Sequence, residues 1–462
     1  MFTAPSALCR AGMKRAFFTL VFTLAAAFQA APSMAQGAPQ PGTQVWLEDF
    51  SSGSPLAGST AVNIEAYSDV NSVPYTVGTG WDSAANECNG WILNSGTAIP
   101  GTDSGCGING GRTGTGTNTQ IAWLFLRDMA DALGKYQDNM PAGTNNVLAS
   151  MTNPGPGGAA TIPNPVQIQA DSVAPVTAGH YYMATTDFAE IHCNNDTYKP
   201  VPIWYEAAET IFLLNGATQA TLVQSPLIKP CDDAPGNPYV TTSVGTPVYI
   251  TRGATPAWLA TGGVSTVGIK ITNDTAATIA NDVAIDRLRI IDVTPHLSEA
   301  FDQASIPVGG TATLTFTITN TDDLLAKDGW SMTETLPAGL TMVGTPTTTC
   351  TNGVVTTSGA AGFTVTADME DAHADLSKAS CTITMVVTSS TDGTYTNGEE
   401  ITPGTGGITG LNGLLPPSPA RLRVGNAASA PVPALDPKAL GLLAALLALA
   451  FFLSRARGRR KL

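Results

Sequence analysis

The sequence has little charge and little histidine. Asp, Glu, Lys and Arg make up only 13% of the 462 residues, and there are four histidines, whereas an average soluble domain is about 25% charged. A helical bundle or a coiled coil would be rich in Glu, Lys, Arg and Leu, so the composition excludes both. The formal net charge is −14. This acidity argues against a nucleic-acid partner, because nothing offsets the repulsion from phosphates.

The short motifs of common catalytic centres are also missing. The sequence has no His-Glu-x-x-His metal motif and no Gly-x-Ser-x-Gly between a strand and a helix. The glycine-rich stretch 107–116 is not followed by the Gly-Lys-Ser/Thr of a phosphate-binding loop. A hydrolase with paired carboxylates is the remaining enzymatic alternative. Asp187 and Glu190, however, fall on opposite faces of one predicted strand, which argues against that pair.

Alternating apolar and polar residues are the main structural signal. Ala312, Leu314, Phe316 and Ile318 alternate with threonines, and the stretch 381–387 alternates in the same way. This period of two predicts strands with one buried and one solvated face. Several such strands separated by turn residues predict an antiparallel sandwich of immunoglobulin-like (Ig-like) size over 294–425.

The segment 36–293 also contains strand-like stretches, and the whole chain is therefore predicted to be all-β. These stretches are 45–50, 181–191, 210–214, 247–251, 267–272 and 283–291. A segment of this length and strand content can form one large sandwich. One short helix is predicted at 123–136, ending near Gly134, because Leu126, Met129 and Leu133 are apolar at helical spacing.

The amino-terminal 35 residues have the three parts of a secretory signal peptide. Arg10, Lys14 and Arg15 are basic, the stretch 16–28 is mostly apolar, and Ser33 and Ala35 are the small residues of a cleavage site. The sequence therefore predicts an exported protein.

The carboxyl-terminal end combines an apolar run at 439–453 with a basic tail at 454–462. The run predicts a short transmembrane helix, and the tail is expected to stay cytoplasmic. Upstream, in a linker at 426–438, are Val432, Pro433, Ala434 and Leu435.

This motif, helix and basic tail together resemble the sorting signals of exosortase-processed bacterial proteins. The motif is most similar to the variant whose usual sequence is Ile-Pro-Thr-Leu, with two of the four positions different. The resemblance implies a Gram-negative source, transient insertion in the inner membrane, processing by an exosortase-type enzyme, and a final position at the cell surface or outside the cell. The alternative is a permanent single-pass anchor.

Four stretches of the second predicted domain, 306–320, 334–340, 380–384 and 393–397, are similar in order and spacing to the conserved-repeat Ig-like domains of bacterial surface proteins. Such domains are usually non-catalytic and tandem. Only one copy is present here, so a long stalk is not expected.

The first predicted domain is similar at its two edges to jelly-roll carbohydrate-binding modules. Residues 47–50 resemble the first strand of those modules and residues 281–290 resemble the last. The resemblance implies that these two strands pair. It also implies a calcium site at which four acids converge, since Ca²⁺ takes six to eight oxygen ligands. The alternative is that these acids are solvated strand-end residues. The candidate ligands are Glu48, Asp49, Asp282 and Asp286.

Six of the seven cysteines follow the predicted signal peptide. An even number in an exported chain predicts disulfides, and six cysteines allow 15 connectivities. Proximity along the chain favours three pairs, which are Cys88–Cys106, Cys193–Cys231 and Cys350–Cys381.

The predicted function is that of a non-catalytic cell-surface protein that mediates adhesion or binds extracellular matrix or glycan. The alternatives are a purely structural surface or biofilm protein and a secreted glycoside hydrolase or other hydrolase. Aromatic residues predicted on loops could stack on sugar rings. They are Trp81, Trp91, Trp204, Tyr205 and Trp258.

Overall fold

The computed structural model describes most of the two predicted domains. The described residues are 37–52, 61–69, 72–78, 88–98, 118–151, 166–191, 193, 207–233, 239–240, 247–275, 282–400, 402 and 404–425. The predicted signal peptide 1–35, the sorting motif Val432–Leu435, the apolar run 439–453 and the basic tail lie outside them. Within the described ranges, no helix is both long and apolar enough to cross a membrane.

The first domain is a β-sandwich with a helix on its outer face. Its strands are β1 (Thr43–Glu48), β2 (Val62–Asn63), β3 (Cys88–Leu93), β4 (Val147–Met151), β5 (Val166–Pro175), β6 (Tyr181–Ile191), β7 (Glu209–Asn215), β8 (Thr221–Gln224), β9 (Tyr239–Val240), β10 (Pro247–Ala254), β11 (Trp258–Leu259), β12 (Thr266–Asn273) and β13 (Val283–Asp292). Its helices are α1 (Asn118–Asp138), α2 (Pro230–Asp233) and a 3-10 turn at Ile64–Ala66. The larger sheet has the order β2-β3-β4-β13-β6-β10-β9, with β1 on β13 and β11 on β6, and the smaller sheet has the order β5-β12-β7-β8.

Strand β6 is the centre of the first sandwich, and all eleven of its residues are buried. Alternate residues, such as Ala184 and Phe188, pack against the smaller sheet. The residues between them, such as Ala189 and Ile191, pack against α1. Both faces of the strand are covered, so its polar residues Asp187 and Glu190 are buried together with its apolar ones.

Strands β1 and β13 pair antiparallel, from Thr43 opposite Asp292 to Glu48 opposite Leu288. This confirms the pairing of the first and last strands that the jelly-roll resemblance implied. The pairing brings the two ends of the domain together.

Helix α1 is longer than the sequence predicted. It continues past Gly134 to Asp138, and Asn139 ends it in the left-handed conformation at φ +52°. The amide of Asn139 donates to the carbonyl of Lys135 at 3.2 Å, as in the αL cap of a helix. Gly134 serves close packing, because a Cβ there would lie 2.8 Å from the Cβ of Asn145.

The second domain is the predicted Ig-like sandwich. Its strands are β14 (His296–Phe301), β15 (Ser305–Ile306), β16 (Thr311–Thr319), β17 (Lys327–Thr335), β18 (Thr341–Thr348), β19 (Thr351–Thr357), β20 (Gly362–Met369), β21 (Ser380–Thr388), β22 (Gly393–Asn397), β23 (Gly407–Asn412) and β24 (Ala420–Val424), with a 3-10 turn at Leu376–Ala379. The sheets are β14-β16-β21-β18, β15-β24-β22 and β19-β20-β17-β23. The apolar positions of β16 are buried, as its alternation predicted.

The two sandwiches share one hydrophobic core. Tyr181 and Met183 of β6 belong to the same buried cluster as Trp330 and Leu414 of the Ig-like domain. The hydroxyl of Tyr181 donates to the carbonyl of Asp328 at 2.6 Å. Only residues 293–295 separate β13 from β14. The short link and the shared core fix the two domains against each other.

A second connection crosses the domain boundary near the amino terminus. Gln40 forms a parallel bridge with Thr321 of the Ig-like domain. Its amide donates to the carbonyl of Asn320 at 3.2 Å, and its carbonyl accepts from the amide of Asp322 at 2.8 Å. The chain then enters β1 of the first sandwich, so one continuous segment is tied to both domains.

Two of the three predicted disulfides are present. Cys193 pairs with Cys231 in the first sandwich, and Cys350 pairs with Cys381 in the second. Each pair therefore links strands or turns of the same sandwich. The third predicted pair, Cys88–Cys106, includes Cys106, which lies outside the described residues.

Candidate functional site

The Glu48 side chain is enclosed in the core of the first sandwich. The hydroxyl of Tyr67 donates to its Oε1 at 2.8 Å, and the hydroxyl of Tyr75 donates to its Oε2. The amide of Phe50 also donates to Oε1, at 2.5 Å. Burial raises the pKa of Glu48 although these donors oppose the shift. Both oxygens are thus used to tie β1 to the segment that carries the two tyrosines.

Asp286 lies on the other face of the larger sheet, toward α1. It is fully buried, and its carboxylate accepts from the Nδ2 of Asn145 at 2.9 Å and from the amide of Arg287 at 2.6 Å. Burial raises its pKa to about 8. Its neighbour across the strand pair is Asp187, which accepts from the Nε of Arg252 at 2.6 Å.

The four predicted calcium ligands are therefore not brought together. Glu48 lies between the two sheets, whereas Asp286 faces the helix. Asp49 is half-buried and accepts from the amide of Ser51, and Asp282 is buried at the start of β13. In the described part of the chain, the one group of three His, Cys, Asp or Glu side chains with ligand atoms within 4.8 Å of one another contains none of the four. Calcium binding by this chain stays a prediction.

That group is Glu190 with the disulfide Cys193–Cys231. The Oε1 of Glu190 accepts from the amide of Ala207 at 2.5 Å, and its Oε2 accepts from the amide of Cys231 at 3.2 Å. A sulfur in a disulfide is not a thiolate, which is the species that binds metals. The carboxylate of Glu190 is therefore the usable metal ligand of the three.

Glu190 lies at the end of the first sandwich that is remote from the Ig-like domain. Tyr181, at the other end of β6, touches that domain, and the nine residue steps from Tyr181 to Glu190 span roughly 30 Å at the rise of a strand. As predicted, Asp187 and Glu190 face opposite ways: Asp187 contacts Gln137 of α1, whereas Glu190 shares the inward side of Phe188.

A second carboxylate, that of Glu209, opens β7 at the same remote end. Glu209 is completely buried, and the Nε2 of Gln167 donates to its Oε1 at 3.1 Å. The Oε2 of Glu209 and the Oε1 of Gln167 have no hydrogen-bond partner. Burial, followed by the negative charges of Glu190 and Asp274, raises the pKa of Glu209 well above its ordinary value.

Asp274 completes this arrangement just after β12. Its two carboxylate oxygens accept from the hydroxyls of Thr210 at 2.8 Å and Thr272 at 3.0 Å. We call Gln167, Glu190, Glu209 and Asp274 the strand-end cluster. It is rich in acceptor oxygens, and no basic group is among those that shift the pKa of Glu209.

The alternation along β7 is a weak indication of this cluster in the sequence. Glu209, Ile211 and Leu213 alternate along β7, and the two apolar residues are fully buried. The same alternation places Glu209 inside the sandwich. The partners of Glu209 come from β5 and β6, and the order of strands in the two sheets decides that they meet.

Two aromatic residues proposed for sugar stacking are in strands instead of loops. Trp91 belongs to β3, and its ring packs against Trp123 of α1 with centroids 5.7 Å apart. Trp258 belongs to β11 and packs against the core between the sheets. The packing surface of both rings is therefore largely used within the protein. Trp81, Trp204 and Tyr205 lie outside the described residues.

The Ig-like domain has a shallow cavity of about 260 Å³ beside the disulfide Cys350–Cys381, with the carboxylates of Asp368 and Glu370 in its wall. Hydrolysis of a glycoside needs one carboxylic acid with a raised pKa to protonate the leaving group. The contact of Glu370 with Lys378 lowers the pKa of Glu370 instead. Asp368 accepts hydrogen bonds from Gly329 and Asn352. This pair does not have the properties of a hydrolytic acid and base.

One family matches part of the chain. Residues 295–417, which form most of the Ig-like sandwich, match the family described as Domain of unknown function (DUF7933). No curated protein matches the chain.

Several solved structures are similar at low identity. The N-terminal domain of the Streptococcus gordonii adhesin Sgo0707 is 14% identical over 56% of this chain and 60% of that chain, with a TM-score of 0.26. The major pilin subunit BcpA of Bacillus cereus is 10% identical over 52% and 69%, with a TM-score of 0.21. A cyclase from Fischerella sp. is 13% identical over 32% and 62%, with a TM-score of 0.20. The chain thus covers less than two thirds of the adhesin and of the cyclase.

Proposed function

We propose that this chain is a non-catalytic, exported cell-surface protein that presents its first sandwich as a binding head on a rigid Ig-like base. The observation that carries the proposal is the core shared by Tyr181, Met183 and Trp330, which couples the two domains. A hinge would let the head turn freely, whereas a shared core gives it one orientation. A fixed orientation suits a protein that holds a binding surface away from the cell.

The distribution of carboxylates supports a non-catalytic function. In the part of the chain that the structure describes, Glu48, Asp187, Glu190 and Asp286 are buried and hydrogen-bonded to framework groups. The exposed pair in the Ig-like cavity lacks an acid with a raised pKa. These carboxylates stabilise the fold and do not line an open catalytic cleft.

The remote end of the head is the surface that we assign to ligand binding. Strands β4, β6 and β12 end there, and β5, β7 and β13 begin there. The connections between strands at the end of a sandwich are the usual place for binding residues on a rigid scaffold. Under the predicted sorting signal at Val432, Pro433, Ala434 and Leu435, the Ig-like domain is nearer to the membrane and this end points outward. The ligand class that we propose is an extracellular polysaccharide or a matrix protein.

A glycan array probed with the exported chain, residues 36–425, tests the proposal. We expect binding to neutral polysaccharides, since the acidic body repels anionic ones. Leu227 is 48% exposed. It lies beside the strand-end cluster, since the next residue, Ile228, forms a β-bridge with Glu209. Leu227→Asn is expected to weaken binding about tenfold, as the loss of one apolar contact does.

The matched control is Val354→Asn, which alters a 60% exposed apolar residue on the Ig-like domain and is expected to leave binding unchanged. Equal weakening by both variants would place the binding surface elsewhere. Folded protein that binds no glycan and no matrix protein would favour the purely structural alternative.

A further inference from the structure

We propose that the strand-end cluster is a binding site for Ca²⁺, with Glu209, Glu190 and Gln167 as its central ligands. The site goes beyond the proposed function, because it would stabilise the head whether or not a glycan binds there. It also differs in position from the set that the sequence suggested around Glu48.

Two buried oxygens of the cluster, one on Glu209 and one on Gln167, have no hydrogen-bond donor. Glu209 is 0% exposed and Gln167 is 1% exposed, and neither the Oε2 of Glu209 nor the Oε1 of Gln167 has a hydrogen-bond partner. A buried acceptor left unpaired costs about 1–3 kcal/mol. The two side chains are in direct contact, since the Nε2 of Gln167 donates to the Oε1 of Glu209. A cation placed among them satisfies both orphaned oxygens together.

The side chains of the cluster come from both sheets of the sandwich. Glu209 and Gln167 belong to the smaller sheet, on β7 and β5, and Glu190 belongs to β6 of the larger sheet. Ala207, two residues before Glu209, donates its amide to Glu190. The backbone next to Glu209 on one sheet therefore contacts the carboxylate of Glu190 on the other sheet.

The cluster also collects negative charge. The amide of Ala207, two residues before Glu209, donates to Glu190, and the hydroxyl of Thr210, the residue after Glu209, donates to Asp274, so three acidic residues lie close together at this end of the described strands. A single proton would neutralise one of the three carboxylates. A divalent cation would compensate two charges. Buried charges in proteins are paired or coordinate metals.

The ligand chemistry selects the ion. Carboxylate and amide oxygens are hard ligands that suit Ca²⁺ or Mg²⁺ rather than Zn²⁺, because the two nearby sulfurs are held in a disulfide. Ca²⁺ accepts irregular geometries with six to eight oxygens, whereas Mg²⁺ demands a near-ideal octahedron. Ligands from two sheets and a long amide side chain fit the more permissive ion, with water in the remaining positions.

Calorimetric titration and thermal unfolding of the exported chain, with its disulfides intact and divalent ions removed, test the site. We expect CaCl₂ to bind with a Kd of about 10⁻⁴–10⁻³ M, as in extracellular calcium modules. At tenfold excess over this Kd, the melting temperature of the chain, which unfolds as one unit, is expected to rise by about 1–3 °C. MgCl₂ at the same concentration should give a smaller rise.

Glu209→Gln is expected to abolish the calcium-dependent rise and to leave the calcium-free protein at least as stable, because the variant removes a buried charge. Gln167→Met, which keeps the length and removes the oxygen, should weaken calcium binding and guards against misfolding of the first variant. Glu334→Gln, a buried carboxylate of the Ig-like domain, is the matched control and should keep the full response. An unchanged calcium response in Glu209→Gln, equal rises with CaCl₂ and MgCl₂ or with NaCl of equal ionic strength, or no response of the wild-type chain would each overturn the proposal.

Discussion

Replacing Gly413 with alanine is expected to uncouple the unfolding of the two sandwiches. Gly413 follows β23 at the domain boundary, with φ +75°, and a Cβ there would lie 2.6 Å from the Cε2 of Tyr181 and 3.0 Å from the Cβ of Trp330. Both neighbours are buried in the shared core, so neither side chain can move aside without opening the boundary between the two sandwiches. The wild-type chain should unfold in one calorimetric transition, and Gly413→Ala should unfold in two.

The nearby Gly410 offers a matched control. It has a similar positive φ of +60°, but a Cβ there would meet only the Oγ1 of Thr333 at 3.7 Å. Gly410→Ala therefore carries the same backbone strain without the steric clash. We expect Gly413→Ala to be about 1–3 kcal/mol less stable than Gly410→Ala, the usual cost of overpacking. Equal stabilities and a single transition for both variants would contradict the shared core.

The stability of the Ig-like domain is expected to depend on pH through the carboxyl group of Glu334. Glu334 and Asn397 are completely buried, and the Nδ2 of Asn397 donates to the Oε2 of Glu299 at 2.7 Å. Both carboxylate oxygens of Glu334 and the Oδ1 of Asn397 are without a hydrogen-bond partner. A proton on Glu334 supplies the missing donor. Burial, reinforced by the charge of Glu299, raises the pKa of Glu334 to about 8 although the Asn397 amide opposes the shift.

The sign of the dependence follows from the raised pKa. The carboxyl binds its proton more tightly in the folded chain than in the unfolded chain, where its pKa is near 4.5. This stabilisation is therefore complete below about pH 4.5 and is lost as the pH rises through about 8. Over that window the free energy of unfolding should fall by on the order of 3–5 kcal/mol, since one pKa unit corresponds to about 1.4 kcal/mol.

Urea unfolding between pH 5 and 9 measures this effect. Glu334→Gln keeps the shape and stays neutral, so its stability should vary less with pH and should exceed that of the wild-type chain at pH 9. Glu399→Gln, at an exposed position of the same domain, should reproduce the wild-type pH dependence. A wild-type profile that is flat over this range, or one parallel to that of Glu334→Gln, would show that Glu334 is already ionised in the folded protein.

Several strands of both sandwiches were predictable from the sequence. Strand β6 has the predicted bounds, Tyr181–Ile191, and β16 differs from its prediction by one residue at each end. Strand β17 was not predicted, because Lys327 and Glu334 are charged and Gly329 interrupts it. The structure buries both charged residues and stabilises Lys327 by contact with Asp323. Local alternation does not indicate where a charged side chain is buried.

The candidate site was less predictable than the fold. The jelly-roll resemblance selected acids close to β1 and β13, and those strands do pair. Pairing of two strands does not determine which face each side chain takes, and a bulge between Asp286 and Arg289 shifts the register of β13. Glu48 and Asp286 consequently lie on opposite sides of the sheet. The strand-end cluster is assembled from β5, β6, β7 and the residue after β12, and their proximity depends on the packing of the two sheets.

A distance measurement between the two sandwiches tests the rigid head most directly. Nitroxide labels can be introduced through an unnatural amino acid at Thr218 and Ser358, two exposed positions on different domains, so that the cysteines stay paired. Double electron–electron resonance on the wild-type chain should give one narrow distance distribution, and Gly413→Ala should broaden it. A broad distribution in the wild-type chain, unchanged by Gly413→Ala, would contradict a head held in one orientation by the shared core.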